Sequence, residues 1–73
     1  MIDNHLTPCV VSRTEPQAYI RFQIIPGAWA VPFSTVETAK KMIVLEELPD
    51  AWVQHIPRSV WYPMFECEVI RDV

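Results

Sequence analysis

Glycine is almost missing from this chain: Gly27 is the only one in 73 residues. That excludes a glycine-rich loop cradling phosphate, and with it the G-x-G-x-x-G turn of dinucleotide binding. Cysteine is scarce too. Cys9 and Cys67 form no C-x2-C knuckle, so the zinc-finger pattern and the disulfide-dense scaffold are both unwritten here. Positive charge is sparse and scattered: six Lys and Arg against nine Asp and Glu give a net charge of −3, and only Lys40 and Lys41 are adjacent. Direct nucleic-acid binding through a basic platform is not expected. No aliphatic run is longer than residues 42–45, against the ~20 needed to cross a bilayer. The first five residues lack a basic region followed by an apolar one, so they do not read as a signal peptide. A cytoplasmic protein is the expectation, without membrane association and with both thiols reduced; export would allow Cys9 and Cys67 to pair.

What the chain has is apolar mass and proline. Half of it is hydrophobic (51%), with three tryptophans and seven prolines. Surface scaling for 8.5 kDa leaves roughly 4,700 Å² exposed after folding, so only about 60% of the unfolded surface is buried. Some large side chains must therefore face outward, where contiguous apolar patches mark contacts.

The length allows one domain, residues 1–73. Prolines 8, 16, 26, 32, 49, 57 and 63 divide it, and elements must fit between them. Residues 9–13 read as a short strand. Residues 18–25 alternate, with Ile20, Phe22 and Ile24 on one face, and form the clearest strand. Pro26-Gly27 suits a type II turn, which fits a tight hairpin poorly, so the next strand is expected to be offset. Trp29, Val31 and Phe33 alternate in that strand, which Pro32 restricts to an edge. Ser34 and Glu37 form a capping box opening a helix over residues 35–47, with Val36, Ala39, Met42 and Ile43 on its apolar arc. Val44 and Leu45 fall off the arc, so a strand over residues 42–45 is the competing reading. Pro49 opens a short helix over residues 50–56, residues 58–63 are loop, and residues 64–72 form a last strand with Phe65, Cys67 and Val69 on one side. The expected fold is α+β: a small, mainly antiparallel sheet of three to four strands with one principal helix on one face, ordered β-β-(β)-α-(short α)-β.

Four constellations bear on chemistry. His5, Cys9, His55 and Cys67 supply the ligand count of a zinc site without its usual spacing; Cys67 is better explained as a core residue. Cys9, Cys67, Ser34 or Ser59 with His55 would be needed for nucleophilic catalysis. Glu66 and Glu68 disfavour a Cys67 thiolate, and Ser34 is accounted for by capping. No cofactor and no enzymatic activity are expected. Glu46, Glu47 and Asp50 form a secondary acidic surface suited to a basic partner. The fourth segment, residues 52–63, carries two tryptophans, a tyrosine and an arginine between stiffening prolines. Trp52, Arg58, Trp61 and Tyr62 are of the types most enriched at binding hot spots, and stiffening lowers the entropy lost on docking. At least one of Trp52, Trp61 and Tyr62 should face a partner or a second copy of the chain.

The expected function is a stand-alone protein-binding module, an inhibitor or modulator that occupies a surface of a partner protein or complex. Size analogy alone places it beside phage and mobile-element proteins of the anti-defence or anti-CRISPR-like kind. The alternatives are an obligate homo-oligomer, in its simplest form a homodimer, and a zinc-stapled interaction module.

Overall fold

The computed structural model describes residues 5–65 and 67–72; residues 1–4, Glu66 and Val73 lie outside the description, and with them the Glu66 position of the expected last strand. The order is β1 (Leu6–Ser12), β2 (Phe22–Ile25), β3 (Ala28–Pro32), α1 (Val36–Leu45), β4 (Ala51–Pro57) and α2 (Arg58–Phe65). The strands pair antiparallel into one sheet ordered β2-β3-β1-β4. The α+β class holds.

The centre is β1, paired with β4 along its whole length and with β3 from Cys9 to Ser12. Alternation sends its side chains to both faces. Cys9 and Val11 pack with Phe22, Ala30, Ile56, Trp61 and Phe65 under α2. Val10 packs with Val31, Phe33, Ala39, Met42 and Leu48 under α1. The sheet is thus the middle of three layers, with a helix on each face rather than on one. Folded surface comes to 4737 Å², close to the roughly 4,700 Å² expected from mass alone.

Pro32 does not make β3 an edge strand, because β3 lies between β2 and β1. The proline is tolerated because β2 pairs with β3 only as far as Ala30. Beyond that point the side of β3 away from β1 is met by Ile70, whose N–H donates to the Pro32 carbonyl at 2.9 Å. The donor that Pro32 lacks falls where no ladder bond is needed. The offset expected after the Pro26-Gly27 turn is present: the β2–β3 register shifts between Gln23 and Ile25, and Gly27 takes the positive φ of 87°.

Helix α1 starts one residue later than the capping-box reading. Thr35 is the N-cap, its Oγ1 accepting from the Thr38 N–H at 3.1 Å. The Ser34 N–H is already spent on the Ile70 carbonyl at 2.9 Å, so Glu37 has no Ser34 donor to reach. Residues 42–45 are helical, which removes the competing strand reading. The helix then stops at Leu45 in a Schellman motif: Leu48 N–H donates to the Ile43 carbonyl and Glu47 N–H to the Val44 carbonyl, both at 3.2 Å. Glu47 holds the left-handed position at φ 50°, where glycine is usual.

Several segments differ from expectation. The first strand covers Leu6–Ser12 rather than residues 9–13, and the strand expected over residues 18–25 forms only at Phe22–Ile25, leaving Ile20 outside it and exposed. Residues 51–57 are strand, not helix: Ala51 and Val53 pack on the α1 side and Ile56 on the α2 side, a two-faced demand that a helix of two turns cannot meet. Residues 58–65 are helix, not loop, because Trp61 and Phe65 four residues apart present one apolar face to the sheet. Pro63 sits inside that helix at the loss of one backbone bond. The expected last strand is reduced to an isolated parallel bridge between Phe33 and Ile70. Its facing survives, since Phe65, Cys67 and Val69 all pack on the α2-side cluster.

Two substitutions test the turn geometry with opposite signs. Glu47→Gly should stabilise by about 1 kcal/mol, or ~4–8 °C in Tm for a domain this small. Gly27→Ala should destabilise by about as much, because an added Cβ there meets nothing within 4 Å and only the positive φ is penalised. Thermal unfolding followed by circular dichroism reads both; shifts of the same sign would contradict the assigned turns.

Candidate partner-binding surface

One row of side chains crosses the α2 face: Phe22 opposite Ala30, Ala30 opposite Val11, Val11 opposite Trp52. At its β2 end Phe65 sits edge-on to Phe22, with ring centroids 6.2 Å apart. At its β4 end no such cover exists, and Trp52 is 43% exposed. An eight-residue helix is too short to roof the whole face. Past α2 the sheet opens into a cleft of about 390 Å³, with Val11, Ile24 and Ala28 along it, Trp52 and Gln54 at the β4 side, and Arg13 contributing positive charge. The Trp52 indole N–H donates to Gln54 Oε1 at 3.1 Å, which fixes the ring orientation.

The strand carrying Trp52 is an edge. Among the described residues β4 pairs with β1 alone. It is seven residues long, has no register shift against β1, and contains no Asp, Glu, Lys or Arg. Natural edges are normally blunted by charge, proline, bulges or brevity, and of these β4 has only the terminal Pro57. The opposite edge, β2, has two of these protections: it is four residues long and carries the register shift. The two edges are therefore unequal, and β4 is the open one.

The four residues singled out from sequence separate. Trp52 is exposed at the cleft. Trp61 is 1% exposed; it belongs to the core, which corrects its assignment as a contact residue. The reason is its place on α2, whose apolar face must cover Cys9 and Ile56. Arg58 and Tyr62, four residues apart on α2, stack with the guanidinium carbon 4.2 Å from the Tyr62 ring centroid, and Tyr62 stays exposed. Arg58 also lies 3.8 Å from the Glu68 carboxylate. Trp52 lies about 20 Å along β4 from Arg58, and neither Arg58 nor Tyr62 lines the Trp52 cleft, so these residues do not make one patch. Sequence reading named no role for the exposed Val44 and Leu45 on α1, which form a low apolar surface with Glu37, Lys40 and Lys41. Their departure from the apolar arc was the available signal. Of the acidic residues, Glu47 and Asp50 are exposed, while Glu46 is half-buried. Burial first, and the Glu46 charge second, raise the Tyr19 phenol above its ordinary pKa.

The zinc set does not assemble. Cys9 and Cys67 belong to the α2 side of the sheet, whereas His55, opposite Pro8 and next to Ile56, projects toward the α1 side. The same separation prevents a Cys9–His55 pair. Among the described residues no group of three or more His, Cys, Asp and Glu side chains is placed to hold a metal ion. Burial pushes the Cys9 thiol up to about 12. No described helix is long and apolar enough to cross a membrane. No protein-family model matches this chain, and no curated protein and no solved structure matches it.

Trp61→Ala should cost about 3–5 kcal/mol by leaving a cavity in the core, whereas Trp52→Ala should stay within about 1 kcal/mol; urea denaturation of both variants separates core from surface. Thiol reactivity gives a second check. In the folded protein a disulfide-exchange reagent at pH 8 should modify Cys67 and spare Cys9, which reacts only after unfolding. Above pH 9 the unfolded chain releases the Cys9 proton while the folded chain keeps it, so stability should fall between pH 9 and 12.

Proposed function

We propose that this protein is a small protein-binding module that receives an extended segment of a partner as a fifth strand along β4, and modulates or inhibits that partner by occupying it. The observation that carries the reading is the seven-residue, uncharged, unbulged edge of β4 beside the Trp52 cleft. Strand addition supplies main-chain hydrogen bonds for affinity, and side chains on alternate positions supply selectivity. On the α2 face those alternate side chains meet Trp52 and Gln54, so an apolar residue in the incoming segment settles on the indole. Arg13 favours an acidic neighbour within the same segment. Trp52 is the anchor of this surface; Arg58 and Tyr62 lie outside it. The cytoplasm suits this role, with both cysteines free.

A second reading rests on the same edge. An uncharged strand is complementary to an antiparallel copy of itself, so two β4 edges would join into a continuous sheet across a homodimer. Light scattering across the micromolar range distinguishes a monomer from that dimer.

The test compares the wild type with a Trp52→Ala, Gln54→Lys double variant and a Val44→Lys control on α1. Captured partner should be lost with the double variant and retained with the control, and amide exchange in the complex should slow along β4. Capture unaffected by the double variant, or protection confined to another element, would remove β4 as the docking edge.

A further inference from the structure

At the other end of β1 from the Trp52 cleft lies a second concavity of about 230 Å³, bounded by the start of α2, Phe33 at the end of the sheet, and side chains of the 67–72 segment. Its lining differs in kind. Arg58, Arg71, His5 and Ser34 face it, and among the described residues Glu68 is the one carboxylate. Two further donors, Thr7 and Trp61, also line it and are 2% and 1% exposed. Among the described residues neither Thr7 Oγ1 nor Trp61 Nε1 has a hydrogen-bond partner, and both atoms lie just behind the accessible wall, so a ligand meets them once the side chains over them shift. A buried donor left unpaired is destabilising, so native interiors rarely keep one without a reason. Here two occur together, one from the central strand and one from the helix that covers it, beside the same cationic hollow.

The geometry points to a binding site for a small tetrahedral oxyanion of the phosphate class. Such a ligand offers several acceptors and no obligatory donors, the complement of a hydroxyl, an indole N–H and guanidinium groups. Arg58 is held over Tyr62 and near Glu68 and contributes chiefly its field. Arg71 is exposed at the cleft and is the guanidinium placed to close over the ligand. The volume is below the ~300–1,000 Å³ of sites for drug-sized molecules and suits a small ion. The assignment is independent of the β4 docking surface, which shares none of these residues.

Each tryptophan carries one indole N–H, so heteronuclear NMR of the intact protein contains its own controls. Titration with inorganic phosphate, against chloride at equal ionic strength, should move the Trp61 indole resonance saturably and leave those of Trp29 and Trp52 in place. Thr7→Val and Arg71→Ala should each weaken the phosphate affinity about tenfold. Without phosphate, Thr7→Val should melt no lower than the wild type, because the deleted hydroxyl has no partner among the described residues. O-phosphoserine as a second titrant identifies the source: tighter binding than inorganic phosphate indicates a phosphomonoester, weaker binding the free ion. The proposal is overturned if the Trp61 resonance does not move, if all three indoles shift alike, or if both variants bind phosphate as the wild type does.

Discussion

Everything in this fold depends on β1 being enclosed on four sides. Strands β3 and β4 take its two edges, and α1 and α2 take its two faces. From Thr7 to Ser12 every residue is buried, and none carries a charge. A strand buried on both faces reads as a near-continuous apolar run instead of an alternating one, and Cys9-Val10-Val11 is that run. Pro8 fits into the strand because Phe33 N–H donates to its carbonyl just where the β3 ladder ends, so the missing donor falls at the ladder's last position. Raising the Cys9 thiol to about 12 is the electrostatic measure of the same enclosure: charge is not admitted at this place.

A sheet of four strands enclosed by two short helices cannot be covered evenly, and the surface follows from where cover stops. On the α2 side, Trp61 and Phe65 fill the space over Cys9, Ile56 and Phe22, and the remaining corner is the Trp52 cleft. The rings of the second half of the chain therefore divide: Trp61 and Phe65 are sheltered, Trp52 and Tyr62 are not. The same shortage leaves Val44 and Leu45 facing outward from α1, because Ala39 and Met42 already fill the contact with the sheet. Apolar excess in so small a domain becomes an arrangement of surface features, and among the described residues the edge of β4 is the longer of the two that the sheet leaves unpaired.

Several parts of this arrangement were legible in the residues alone, and their physical reasons differ. The second half of the strand expected over residues 18–25, the Pro26-Gly27 turn and the α1 arc are set by local preference: alternation, positive φ at glycine, and a capping hydroxyl. The errors lie where tertiary demand overrode local signals. Prolines 49 and 57 frame residues 51–57 as a helix would be framed, yet pairing with β1 over seven positions outweighs what a helix of that length returns. Val53, Ile56 and Trp52 were the strand-favouring residues that argued the other way. In α2 the Trp61–Phe65 spacing was readable, but Pro63 obscured it. Pro32 marked a true local edge that the strand as a whole does not share. For the candidate site, the residue types in 52–63 were informative; their distribution was not, because a strand followed at once by a helix sends Trp52 and Trp61 to opposite fates.

The two clefts are the clearest consequence of α2 crossing one face of the sheet. Thr7 lines one and Val11 the other, and both belong to the same side of the same strand. What separates them is the helix, whose Trp61 ring lies buried against β1 residues. The near cleft is lined by Thr7 and Trp61, whose hydroxyl and indole N–H are buried without a partner among the described residues. The far cleft inherits apolar surface, because the helix ends before reaching it. One short helix therefore creates both a donor-rich hollow and an apolar one, and their opposite chemistry reflects which part of that helix each of them borders.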